Sequence, residues 1–116
     1  MIKIPERVFV ATSFIDLRMS FDRLAGVVRS ALGDDPRGDA LFVFHNQRRT
    51  MVKMLWHDTR GYCIFAKRLD RGTYRIPLAI PVGATRVTVS HRELALLLEG
   101  IDAKLLRDAR RAASAR

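Results

Sequence analysis

Between His45 and Asp58 the chain reads HNQRRTMVKMLWHD, placing two histidines, two arginines, a lysine, a tryptophan and an aspartate in one short stretch. Such a set could bind a metal, move protons or read nucleic acid. Spacing argues against metal. His45, His57, Asp58, Cys63 and His91 are the available ligands, and they form no i, i+4 histidine pair, no CxxC and no HExxH. Cys63 falls in an apolar strand-like run, where a thiol acts as a small core residue rather than a nucleophile. Ser13 has no supporting motif for nucleophilic catalysis. Metal-dependent chemistry on DNA needs clustered carboxylates. Asp16 and Asp22 lie off a common helix face, and Asp34, Asp35 and Asp39 share a loop. The glycines at 33, 38, 61, 72, 83 and 100 all sit at turns, so no glycine-rich phosphate loop is present. No catalytic residue, metal site or cofactor is therefore expected.

Positive charge is the remaining signal. The formal net charge is +9, and it is unevenly placed. Residues 1–44 are neutral overall, as are residues 76–100. Residues 45–75 carry eight Lys and Arg against Asp58 and Asp70, and the last sixteen residues are net +3. A polyanion is the natural partner of such a distribution. The candidate nucleic-acid contacts are Arg48, Arg49, Lys53, Arg60, Lys67, Arg68, Arg71 and Arg75. Arginines on turns can grip phosphates, and Asn46 and Gln47 carry groups that read base edges. The aromatics Trp56, Tyr62, Phe65 and Tyr74 are interleaved as in stacking platforms, although Trp56 and Phe65 read as core.

These residues need elements to position them. Val8–Ala11 predicts a strand. Ser13 to Asp16 has the spacing of a capping box, which would open a helix over 14–32. That helix would bury a stripe of Leu17, Phe21, Leu24, Val28 and Ala31 and end at Gly33. Four short strands follow: 41–44, 51–57, 62–69 and 73–78. Asp58-Thr59-Arg60-Gly61 and Leu69-Asp70-Arg71-Gly72 each end in a glycine suited to a tight hairpin. With a four-residue turn, His57 faces Tyr62; Val52, Met54, Trp56, Cys63 and Phe65 then share the core face. Met51, Lys53, Leu55, His57, Tyr62, Ile64, Ala66 and Arg68 share a mixed, partly wet face. Pro77 and Pro81 mark the sheet's end or an edge. Val87–Val89 suggests a last strand. Ser90 and Glu93 form a second capping box, with Leu94, Leu97 and Leu98 on one helical face and Gly100 as its cap.

The expected architecture is α+β: a small antiparallel β-meander with the 14–32 helix packed on one face and a short 91–99 helix at its end. Residues 1–102 are read as a single domain and 103–116 as a basic tail that could extend as an amphipathic helix or fray. One cysteine excludes an internal disulfide framework and fits a reducing compartment. No signal-peptide pattern and no apolar run of about 18 residues is present. A cytoplasmic location without membrane association is therefore expected.

Four stretches also carry a family resemblance: DLRMSFDRL (16–24), LFVFHNQRRTMVKMLWHD (41–58), GYCIFAKRLDRG (61–72) and ELALLLEGID (93–102). In this order they resemble the TnpB accessory protein of the insertion-sequence-66 family of bacterial transposable elements, a protein distinct from the RNA-guided nuclease of the same name. The chain departs from the pattern at Arg23, where glycine is frequent, and around Tyr74–Pro81, where a Trp-Pro pair is frequent. The resemblance implies an accessory factor for transposition that works alongside a separate catalytic transposase of the same element. Together with the net charge of +6 over residues 45–75, it leads us to expect a non-enzymatic protein whose partners are DNA at the element ends and the element's transposase, with no small-molecule substrate. Two roles are open: direct DNA binding through the basic hairpins, or a protein–protein adaptor that holds the transposase without touching DNA.

Overall fold

The computed structural model of the chain describes residues 3–76 and 80–100. In chain order the elements are β1 (Arg7–Ala11), α1 (Phe21–Ser30), β2 (Ala40–His45), β3 (Met51–His57), β4 (Tyr62–Arg68), β5 (Arg86–Val89) and α2 (His91–Glu99). The apolar runs of β1 and β2 do not alternate with polar residues, the pattern of strands buried on both faces. They pair in parallel, Val8 against Leu41 and Val10 against Val43, with α1 in the crossover. From β2 the sheet continues as an antiparallel meander through β3 and β4, and β5 joins antiparallel on the far side of β1. The strand order is β4-β3-β2-β1-β5. The α+β class is as expected. The parallel β1–β2 pair is an addition to the expected meander, because alternation within a strand does not encode which strand it will join.

The sheet is covered on both sides. On one face Val8, Val10, Leu41, Val43, Val52, Met54 and Trp56 pack with Tyr74, Ile76 and the α2 residues Leu94 and Leu97. On the other, Phe9, Phe42, Phe44 and Leu55 pack with Leu24, Ala25 and Val28 of α1. The second capping box forms as expected: Ser90 Oγ accepts from the Glu93 N–H at 3.0 Å, and the Glu93 carboxylate accepts from the Ser90 N–H at 2.9 Å. Gly100 ends α2 at φ +72°.

The first helix is shorter than expected. It begins at Phe21 behind Ser20, whose side chain makes no cap hydrogen bond. Asp16 accepts from the Arg18 N–H and guanidinium instead of closing a box with Ser13. Phe21 and Ala31, placed in the buried stripe by spacing, are exposed at the two ends of the helix. Gly33 adopts φ +63°, and the Asp34 N–H bonds the Val28 carbonyl to close the helix end.

The β3–β4 register is the expected one, His57 against Tyr62. Val52, Met54 and Trp56 are buried and Cys63 is half-buried. Phe65 departs from the expected core set at 42% exposure, because β4 is an edge strand whose second half is uncovered among the described residues. The strand expected over 73–78 is not formed over 74–76. Thr73 makes an isolated bridge, while Tyr74 and Ile76 are buried by packing rather than by ladder pairing. Pro77 and Leu78 lie outside the described residues, as does the 103–116 tail. Of the two turn glycines, Gly72 takes positive φ (+74°) and Gly61 does not. The 58–61 turn is held by Asp58, whose Oδ1 accepts from the Arg60 and Gly61 N–H groups.

Candidate nucleic-acid interface

Because β2, β3 and β4 are antiparallel, the connections 46–50 and 58–61 lie at opposite ends of the sheet. The seven residues of β3 separate them by about 20 Å. The 46–50 turn is built around Asn46. Its Oδ1 accepts from the Thr50 N–H at 2.9 Å and the Met51 N–H at 3.1 Å, while its Nδ2 donates to Thr50 Oγ1 at 3.1 Å. This amide was a candidate base reader, but the loop itself uses it. Arg49 sits at φ +55°, a left-handed conformation that strains a residue with a side chain.

The chain after β4 returns along this turn. The Leu69 N–H bonds the Thr50 carbonyl at 2.8 Å and the Tyr74 N–H bonds the Arg49 carbonyl at 2.7 Å. Tyr74 donates its hydroxyl to the Lys67 carbonyl at 3.1 Å, which ties the segment down. Five candidate residues, Arg48, Arg49, Arg68, Arg71 and Arg75, are therefore brought to one end of the sheet, all exposed. Lys53 and Lys67 flank this end on opposite faces. Lys53 Nζ donates to the Met19 carbonyl at 2.8 Å, and Lys67 Nζ donates to the Leu98 carbonyl at 2.9 Å, near the C-terminal end of α2 where a cation is favoured. Arg60 is set apart, at the far end with Asp58. Among the described residues the ion pairs are Arg18–Asp16 and Arg86–Asp34, and none of the eight candidates takes part in one.

Sequence reasoning missed the wall beside the tip. The Ile15 N–H bonds the His45 carbonyl at 3.1 Å, which lays residues 12–20 against the 46–50 turn. Between them lies an open cleft of about 600 Å³, lined by Phe14, Asp16, Arg18, Gln47, Arg48 and Met51 among others. Assigning Ser13–Asp16 to a helix cap hid Phe14; Arg18 standing two residues after Asp16 was the available sign of an ion pair.

The titratable groups nearby are structural. His45 is buried with Nε2 3.1 Å from the Ala11 carbonyl and Nδ1 3.3 Å from the Asn46 carbonyl. Burial pushes its pKa down, against the two carbonyl contacts, which act to raise it. Hydrogen bonding from Arg18 holds the Asp16 carboxyl at about 2. Desolvation and then the neighbouring Asp58 push the Cys63 thiol up, and its Sγ lies 3.6 Å from the Asp58 carboxylate, an environment for a thiol rather than a thiolate. Among the described residues no three His, Cys, Asp or Glu side chains converge as a metal site would require. No described helix is long and apolar enough to cross a membrane.

Comparison with known proteins adds the family. Residues 6–108 match the family described as IS66 Orf2 like protein. Two proteins of Sinorhizobium fredii (strain NBRC 101917 / NGR234) are similar. Protein y4hO is 41% identical over 96 residues, covering 83% of this chain and 81% of that protein. Protein y4jC is 32% identical over 96 residues, covering 83% and 80%. No solved structure matches the chain. The chain belongs to the IS66 Orf2-like family, which associates it with the transposition of an insertion sequence in an accessory role.

Proposed function

We propose that this protein is a non-enzymatic, cytoplasmic accessory factor that binds DNA of its element through the 46–50 end of the sheet and helps assemble the transposase complex there. The observation that carries this reading is the gathering of Arg48, Arg49, Arg68, Arg71 and Arg75 at one end, with no ion pair among the described residues to neutralise them. Lys53 and Lys67 extend the field onto both faces, and Arg60 is the weakest of the eight candidates. Residues 1–102 act in this reading as one α+β unit, with the basic residues of 103–116 adding further attraction. If about six contacts neutralise phosphates, affinity falls by roughly a thousandfold between 50 and 200 mM salt. A gel-shift titration with element-end duplex tests this; absence of binding at low salt rejects it.

One observation favours the adaptor role. The outer edge of β4 has no strand partner among the described residues, and Phe65 is exposed beside it. Such an edge can accept a strand from another protein. Co-purification of the transposase that survives nuclease treatment and is lost on Phe65→Lys would support that role.

A further inference from the structure

We propose that the cleft between residues 12–20 and the 46–50 turn takes an unpaired nucleobase, so that the protein prefers DNA with a single-stranded end over closed duplex. This rests on the DNA-binding reading above and names its substrate class. The cleft lies beyond the carboxyl ends of the parallel strands β1 and β2, built by the loops that follow them. Open sheets bind ligands at such ends, where the loops after parallel strands form a crevice. At about 600 Å³ it is within the ordinary range of small-ligand sites, and it is too small for a double helix.

Its chemistry suits a base attached to a phosphate chain. Phe14, Ile15, Leu17 and Met51 form apolar walls, and Phe14 is 54% exposed. An exposed ring beside cationic side chains is the arrangement on which successive bases of single strands stack. Asp16 is the acidic group in the lining, and the Arg18 guanidinium covers it at 3.0 and 2.8 Å, so its charge does not repel a nucleotide. Gln47 is exposed and, unlike Asn46, takes no part in the turn's hydrogen bonds, leaving a donor and an acceptor for a base edge. Arg48 lines the same cleft, and Arg49, Arg71 and Arg75 stand at the same end of the sheet, where the phosphates of the strand would run.

The test uses the full chain and two probes of the same sequence, a blunt duplex and a duplex with a short single-stranded overhang carrying 2-aminopurine. The overhang should bind roughly tenfold more tightly, with the 2-aminopurine fluorescence changed on binding. Phe14→Ala, at an exposed position, should abolish both effects while blunt-duplex affinity stays unchanged; Phe14→Trp should restore them. Arg71→Gln with Arg75→Gln should weaken both probes alike. Blunt and overhang probes bound equally by the wild type, or a preference that survives Phe14→Ala, would overturn the base site and leave the DNA-binding reading standing. No binding of either probe would overturn both. Loss of transposase capture on Phe14→Ala, with the overhang preference intact, would reassign the cleft to a protein side chain.

Discussion

The two turns that bracket β3 use one device to opposite effect. In each, the side-chain oxygen of the first residue accepts two backbone N–H groups, Thr50 and Met51 for Asn46, Arg60 and Gly61 for Asp58. Asn46 is neutral, so it closes its turn without cancelling the arginines around it. Asp58 is an anion, so its turn offsets Arg60. The end of β4 brings Arg68 to the Asn46 end and the chain after it adds Arg71 and Arg75, whereas among the described residues no such returning segment bonds the Asp58 turn. A sheet with polar turns at both ends thereby gathers a cluster of arginines at one of them. The choice of acceptor in a turn, a local matter of satisfying backbone donors, places an anion at one end of β3 and none at the other.

The largest expected effect comes from removing charge at the Asn46 end. Arg48→Gln, Arg71→Gln and Arg75→Gln combined should flatten the salt dependence of DNA binding by roughly 2.7 in slope, about 0.9 per contact, while Arg60→Gln leaves it nearly unchanged. Anisotropy titrations across salt measure both; equal effects would erase the distinction between the ends. Next, Asn46→Ala leaves two part-buried backbone donors without their acceptor and should destabilise the fold by about 1–2 kcal/mol in urea unfolding. Asp58→Ala should lower the melting temperature less, because water reaches its turn.

A smaller effect sharpens the comparison further. Asn46→Asp keeps the turn's acceptor and adds one negative charge, so DNA affinity should drop several-fold at low salt and recover relative to wild type as salt screens it. Stability should change little. If Asn46→Asp bound DNA as the wild type does, the neutral acceptor would have no electrostatic role.

The least effect is in acid. Backbone N–H groups of Arg60 and Gly61 hold the Asp58 carboxyl below its usual 3.8, and Arg18 holds Asp16 at about 2. Below 3.8 the unfolded chain binds protons that the folded chain refuses. The stability these groups contribute is therefore full above 3.8 and is lost as pH falls through their folded values. The 46–50 turn has no carboxylate in its hydrogen bonds and should not share this loss. Thermal melts from above pH 3.8 down to about 2 should show a smaller decline for Asp58→Asn than for wild type.

Much of this was legible in the residues, for identifiable reasons. The four-residue 58–61 turn set the β3–β4 register, His57 against Tyr62, and Ser90 with Glu93 marked α2, because both signals are local. The charge of 45–75 was visible by counting, and its gathering follows from where turns put chain segments. What escaped was long-range or competitive. Ser13 and Asp16 had the right spacing for a cap, but the Arg18 guanidinium two residues on took the carboxylate. Phe65 lay on the correct face, yet alternation cannot say whether that part of the face is covered. Tyr74 and Ile76 looked like strand residues and are buried without a ladder. The parallel pairing of β1 and β2 was hinted at only by their unbroken apolar runs.

The most direct test of the account maps backbone amide shifts of the full chain during titration with element-end duplex. We expect the changes to concentrate on Asn46–Met51 and Leu69–Arg75, with Asp58–Gly61 undisturbed. Changes centred on Asp58–Gly61 or on the outer edge of β4, or no changes at low salt, would contradict a DNA-binding end built on Asn46.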